Sequence, residues 1–193
     1  MNINNNYKQY IQYLMYSLLL TTLGSFIGDF IPINFILVYT FISLILILAF
    51  FLTKGPTKKI IFYVFSLGEG ICLTPILQAT TRTSFFICLA ITTLTIAIFS
   101  IIGYKVKDLG FLKNILFIGL LIFLFYSIIS FFIPLPSIIL IGILIFCLYI
   151  AYDINKFKKT AGSLSEEDVL NEVMDIYLDI INLFILILRL SND

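Results

Sequence analysis

The chain of 193 residues carries 12 basic and 11 acidic side chains, no histidine and no tryptophan, for a formal net charge of +1. Its hydrophobic fraction of 61% and mean hydropathy of +1.10 lie far above the roughly 45–50% apolar usage of soluble domains, which excludes a soluble globular fold and marks an integral membrane protein. A near-neutral charge with its lysines in short loops offers no field for nucleic acid, and the lack of histidine removes histidine triads, H-E-x-x-H zinc sites and the usual pH-switch side chain.

A membrane-crossing helix needs about 20 mostly apolar residues. Polar breaks divide the chain into seven such stretches, at 10–29, 33–52, 60–79, 83–104, 111–133, 137–154 and 169–190. Pro32 ends the first, Gly55-Pro56 with Lys54, Lys58 and Lys59 separates the second from the third, and Arg82 stands between the third and fourth. Lys105, Lys107 and Asp108 close the fourth. The stretch 114–152 has no charge and is too long for one span, so Pro134 and Pro136 are expected to cut it into two helices. After the polar linker 156–165, Ser165 followed by Glu166, Glu167 and Asp168 reads as a helix N-cap with first-turn acids, the S-x-x-D form of a capping box. The pattern predicts an all-α polytopic membrane protein in which residues 1–193 form a single seven-helix transmembrane domain.

Ten lysines fall in alternate loops on one side, leaving Arg82 and Arg189 opposite. The positive-inside rule then puts the N-terminus in the cytoplasm and, after seven crossings, the C-terminus outside. The first stretch is too long and too weakly basic for a cleaved signal peptide and reads as retained. Cys72, Cys88 and Cys147 lie singly in apolar stretches without C-x-x-C spacing and read as small buried hydrophobes. Arg189 is expected to snorkel to the outer interface, and Asp29 to be an exposed acid at a helix end. Asn4, Asn5 and Asn6 receive no role.

The acids are the informative residues. An ionisable group in hydrocarbon costs several kcal/mol unless it faces a partner or water, and usually marks an ion or proton path. Asp168, Glu172, Asp175 and Asp179 are spaced by four, three and four residues, along one face of the seventh helix. Asp168 and Glu172 read as solvated first-turn acids favoured by the helix dipole. Asp175 is balanced between that reading and a functional one, whereas Asp179 lies two to three turns in. Asp153 approaches the same membrane side from the end of the sixth helix. Two nearby carboxylates in a partly dry site cannot both ionise cheaply, so they titrate as a unit that shares one proton. When ionised they repel each other or accept a cation, and Ca²⁺ prefers such hard oxygen ligands. The alternative for Asp153 is a surface pair with Lys156 or Lys158. Glu69, in Gly68-Glu69-Gly70, is either a pore or ligand acid or a neutral acid hydrogen-bonded to a neighbouring helix, with the glycines allowing close helix approach.

Tyr152-Asp153 at the close of one helix, Tyr177-Leu178-Asp179-Ile180-Ile181-Asn182-Leu183-Phe184 leading to Leu188-Arg189-Leu190 in the next, Leu48-Ala49-Phe50, and Gly70-Ile71-Cys72-Leu73-Thr74-Pro75-Ile76 together resemble the Bax inhibitor-1 (transmembrane Bax inhibitor motif) family. Over essentially the whole chain the resemblance is to its bacterial calcium-leak branch. It implies a seven-helix fold with the last helix central and a pH-sensitive Ca²⁺ leak governed by an aspartate pair, which by position is Asp153 and Asp179. Relatives also carry an arginine latch at the end of the second helix. Thr53 stands at that place here, with Lys54 beside it as the candidate latch, although lysine lacks the forked geometry of arginine.

The expectation is a passive, pH-gated calcium leak in a bacterial cytoplasmic membrane, not an enzyme, with the lipid bilayer and Ca²⁺ as partners and no cofactor beyond the transported ion. Asp153 and Asp179 serve as pH sensor and tentative Ca²⁺ ligands, Lys54 as latch, Glu69 and Asp175 as pore or ligand acids. A non-conducting interaction protein that regulates a membrane protease or a cell-death pathway is the second reading. An intramembrane aspartyl protease is the third, and Ile176-Tyr177-Leu178-Asp179 lacks the G-x-G-D glycines that would open the helix.

Overall fold

The computed structural model describes residues 3–133 and 137–192, which form seven helices joined by short connections. These are α1 (Ile3–Gly28), α2 (Ile33–Leu52), α3 (Pro56–Ala79), α4 (Arg82–Lys105), α5 (Leu112–Phe132), α6 (Ile139–Thr160) and α7 (Glu166–Asn192). The expected helices are all present, and α2 has the predicted bounds. The others mostly run past the apolar stretches that betray them, because a helix continues into the polar layer until its caps stop it. Pro134 and Pro136, expected to divide α5 from α6, lie outside the described residues. Helices α1 to α6 are long and apolar enough to cross a membrane. The 27-residue α7 is long enough too, but Asp175, Asp179 and Arg189 interrupt its apolar stretch.

At the start of α7 the predicted capping box forms in both directions. The Asp168 amide donates to Ser165 Oγ at 3.2 Å, while the Ser165 amide and hydroxyl donate to Asp168 Oδ2 at 3.2 and 2.6 Å.

Two compact units make up the chain. The first, Met1–Thr81 with Ala161–Tyr177, comprises α1, α2, α3 and the first part of α7; the second, Arg82–Thr160 with Leu178–Asp193, comprises α4, α5, α6 and the rest of α7. Within the first unit α3 packs on both α1 and α2. The two glycines around Glu69 make this close approach. A Cβ on Gly70 would lie 1.9 Å from the Thr21 carbonyl oxygen of α1, and one on Gly68 would lie 2.0 Å from a ring carbon of Tyr39 in α2. The connection into α7 is tied down from far along the chain: Asn6 of α1, fully buried, donates from Nδ2 to the Ala161 and Leu164 carbonyls at 2.7 and 3.0 Å.

In the second unit α6 packs against α4 and α5. A Cβ on Gly103 of α4 would meet the Ala151 carbonyl oxygen of α6 at 2.2 Å, so the two backbones touch two residues before Asp153. Buried Asn155 completes the joint. Its Nδ2 donates to the Gly103 and Val106 carbonyls at 3.0 and 2.8 Å, and its Oδ1 accepts the Leu109 amide at 3.0 Å. Farther along, Phe85 meets Phe184 of α7 edge-on, with centroids 6.2 Å apart. Cys88 and Cys147 are buried and free, as expected, while Cys72 is only half-buried. Outside, side chains such as Phe41, Phe86, Ile122 and Phe132 are largely exposed, which suits a surface solvated by lipid tails.

Replacing Asn155 with Ala strands one amide and two carbonyls at the α4–α6 joint, and is expected to cost about 2 kcal/mol. Thermal unfolding in detergent should show a clear loss of Tm for Asn155→Ala and little change for Thr93→Ala, whose hydroxyl bonds only to its own helix at an exposed position.

Candidate functional site

Asp153 on α6 and Asp179 on α7 both belong to the second unit, and both are buried, at 5% and 7% exposure. Ile150 and Ala151 of α6 and Ile180 and Leu183 of α7 are buried in the same stretches of helix. The Gly103–Ala151 approach and the Asn155 clamp bracket Asp153, so the backbone that carries it is held on both sides. Lys158, one of the surface cations considered for Asp153, donates instead to the Tyr104 carbonyl at 2.6 Å and lies 4.9 Å from the Tyr104 ring centroid. Its neighbour Lys159 pairs with Asp108. That hydrogen bond, together with the Gly110 amide and the lysine charge, holds the exposed Asp108 carboxyl below the usual carboxylate range.

Along α7 the four acids face different surroundings. Asp168 is exposed and Asp175 half-buried, but Glu172 is buried at 8% exposure, next to fully enclosed Val173 and Met174. The expectation of a solvated Glu172 is therefore corrected: within two turns of the capping box α7 has a buried face, and Glu172 lies on it while Asn171 and Asp175 stay half-buried.

The first unit holds Glu69, which is half-buried and hydrogen-bonds across to Ser43 of α2. This is the arrangement expected for an acid bonded to a neighbouring helix. Nearby, Tyr177 of α7 is completely enclosed. Its hydroxyl lies 2.6 Å from Thr21 Oγ1, which also donates to the Ser66 carbonyl at 3.0 Å. The Tyr177 ring meets Phe62 and Phe65 edge-on, at 5.7 and 6.1 Å between centroids. Residue spacing did not single out this link between α1, α3 and α7; its trace in the sequence is the tyrosine two positions before Asp179.

Lys54 is exposed in the connection after α2. The enclosed cation of that region is Lys58, at 5% exposure, with Nζ 4.6 Å from the Phe50 ring centroid. Among the described residues no group of three or more acidic, thiol or imidazole side chains is gathered as a metal centre.

A family model described as Inhibitor of apoptosis-promoting Bax1 matches residues 4–192. The inner membrane protein YbhL of Escherichia coli K12 is 26% identical over 166 residues, covering 79% of this chain and 71% of that protein. Two uncharacterized proteins of Helicobacter pylori, from strains 26695 and J99, are 27% and 28% identical over 191 residues, covering 90% of this chain and 80% of their own.

The Asp168 carboxyl lies below its usual range chiefly through the Ser165 hydroxyl bond, then the Ser165 amide, with the Lys58 charge contributing less. A depressed carboxyl stabilises the fold above its ordinary value, near pH 4, and this stabilisation is lost as pH falls through the folded value. Acidification below about pH 4 is thus expected to speed amide exchange at the start of α7, after correction for intrinsic rates. In Asp168→Asn the first turn should exchange fast at every pH.

Proposed function

The chain belongs to the Inhibitor of apoptosis-promoting Bax1 family, the Bax inhibitor-1 family, and from that premise we propose that it is a pH-sensitive passive leak for Ca²⁺ gated by Asp153 and Asp179. The observation that carries this reading is the burial of one carboxylic acid on each of α6 and α7, inside the same compact unit. Desolvation makes a doubly ionised pair expensive. One proton shared between the two removes most of that cost, and a divalent cation neutralises both charges at once. The protonated and ionised forms therefore favour different arrangements of α6 and α7, and Ca²⁺ is the cargo that passes when the pair is ionised. Lys54 is proposed as the latch cation, with Glu69 and Asp175 as further acids on the path. All seven helices act as one transmembrane domain, N-terminus in and C-terminus out, in a bacterial cytoplasmic membrane. YbhL is itself described as an inner membrane protein.

The family's description as an inhibitor of another protein favours one second reading, a non-conducting interaction protein. Its activity would survive loss of both aspartates. We read the chain as non-enzymatic, since Ile176-Tyr177-Leu178-Asp179 offers no glycine to open α7 to a peptide substrate.

The test is Ca²⁺ entry into dye-loaded proteoliposomes across roughly pH 5 to 8, the range in which buried carboxylates titrate. The expected outcome is a pH-dependent flux in the parent whose pH dependence is lost in Asp153→Asn and in Asp179→Asn. Unchanged pH-dependent flux in the double variant refutes the gating pair, and no flux in any folded sample favours the interaction protein.

A further inference from the structure

The first unit carries an open cleft of about 750 Å³ that the proposed leak does not use. It lies where α1, α3 and α7 begin, and one end of it is polar. Lys59 Nζ donates to Tyr13 Oη at 3.1 Å, lies 4.5 Å from the Tyr13 ring centroid and 3.8 Å from Glu166 Oε1. Tyr13 Oη in turn donates to Glu166. Beside them Tyr16 and Tyr63 meet edge-on, with centroids 6.4 Å apart. Leu20 and Leu23 then continue the wall along α1, so that Leu23 lies about 15 Å beyond Tyr13.

Polar end, tyrosines and leucines follow one another in the order in which a membrane lipid presents its headgroup, its glycerol region and its chains. Tyrosine is the side chain that settles at the level between water and hydrocarbon. The volume lies within the roughly 300–1,000 Å³ of ligand clefts, enough for a headgroup and the upper part of a chain. The charges decide which lipid fits. Lys59 and Glu166 are opposite in sign and adjacent, and their side chains are 41% and 58% exposed, so both can turn to a ligand. A lipid with a net negative headgroup meets the Glu166 carboxylate. A quaternary ammonium has no N–H to give it. A zwitterion with a primary ammonium satisfies both, its phosphate on Lys59 and its N–H groups on Glu166.

We propose that this cleft binds one phosphatidylethanolamine molecule, with the phosphate held by Lys59, the ammonium by Glu166 and an acyl chain along Leu20 and Leu23. The bound lipid braces α1, α3 and the start of α7 against one another. This inference needs only the membrane location of the chain and is independent of calcium conduction.

Native mass spectrometry of the full chain, released from nanodiscs with equal amounts of phosphatidylethanolamine, phosphatidylglycerol and phosphatidylcholine, tests it. The parent should retain one phosphatidylethanolamine ahead of the other two. Glu166→Gln should lower that retention about tenfold, the worth of one charge-assisted hydrogen bond, and bring it level with phosphatidylcholine. Lys59→Gln should weaken retention of all three phosphate-bearing lipids. Equal retention in the parent, a preference for phosphatidylglycerol or phosphatidylcholine, or phosphatidylethanolamine retention unaffected by both substitutions overturns the proposal. If either variant fails to fold, the ranking of lipids by the parent decides alone.

Discussion

Hydrocarbon offers no hydrogen bonds, so each polar group that enters the interior of this chain has to be answered from within it. The small polar residues do this locally. Ser66 and Thr92 return their hydroxyls to a carbonyl one turn earlier in their own helices. The larger ones do it across helices, and those links set the architecture. Asn6 closes the connection into α7, Asn155 ties the end of α4 to α6, and Tyr177 binds α7 to α1. Small residues between these links let backbones approach, as Gly70 does at Thr21 and Gly103 at Ala151. Within each unit polar clamps alternate with close backbone crossings, and side chains such as Phe41 in the first and Phe86 in the second are largely exposed.

The same rule gives the carboxylic acids their meaning. Asp153, Glu172 and Asp179 are buried at positions where an aliphatic side chain would pack at no electrostatic cost. Asp153 stands on the part of α6 held by the Gly103 approach and the Asn155 clamp, and Asp179 follows Tyr177 on α7. Fixed helices place these groups, so a change in their charge acts on helix packing rather than on a mobile loop. That is the physical basis of the proposed gate, in which the proton count of two acids biases the arrangement of α6 and α7. Lys58, enclosed against Phe50, and the Glu69–Ser43 bond extend the pattern of internal charge and hydrogen bonding to the first unit.

Much of this was readable in the sequence because it is local. The apolar run of α2 between Pro32 and Thr53 delimits that helix without ambiguity, the Ser165–Asp168 spacing specifies its cap, and Gly68-Glu69-Gly70 announces a close crossing. What escaped is the contact made over long chain distances. Nothing near Asn6 shows that it will serve carbonyls more than 150 residues away, and a lysine at 58 looks no different from one at 54 until Phe50 covers it. Membrane helices hide a further distinction. A face turned to lipid and a face turned to protein are equally apolar, so periodicity alone did not separate buried Glu172 from exposed Asp168. The family resemblance points to Asp153 and Asp179 through a pattern of particular residues, whereas hydropathy records only solvent.

The proposed gate requires these two aspartates to titrate as one unit. Difference infrared spectroscopy of the carboxyl stretch follows them directly, using aspartate-labelled protein in nanodiscs over a pH series. The account predicts two separated steps in the parent, and in both Asp153→Asn and Asp179→Asn a single step at a pH where the parent has none. If the remaining aspartate titrates in each variant as it does in the parent, the two groups are independent and the shared-proton gate is wrong.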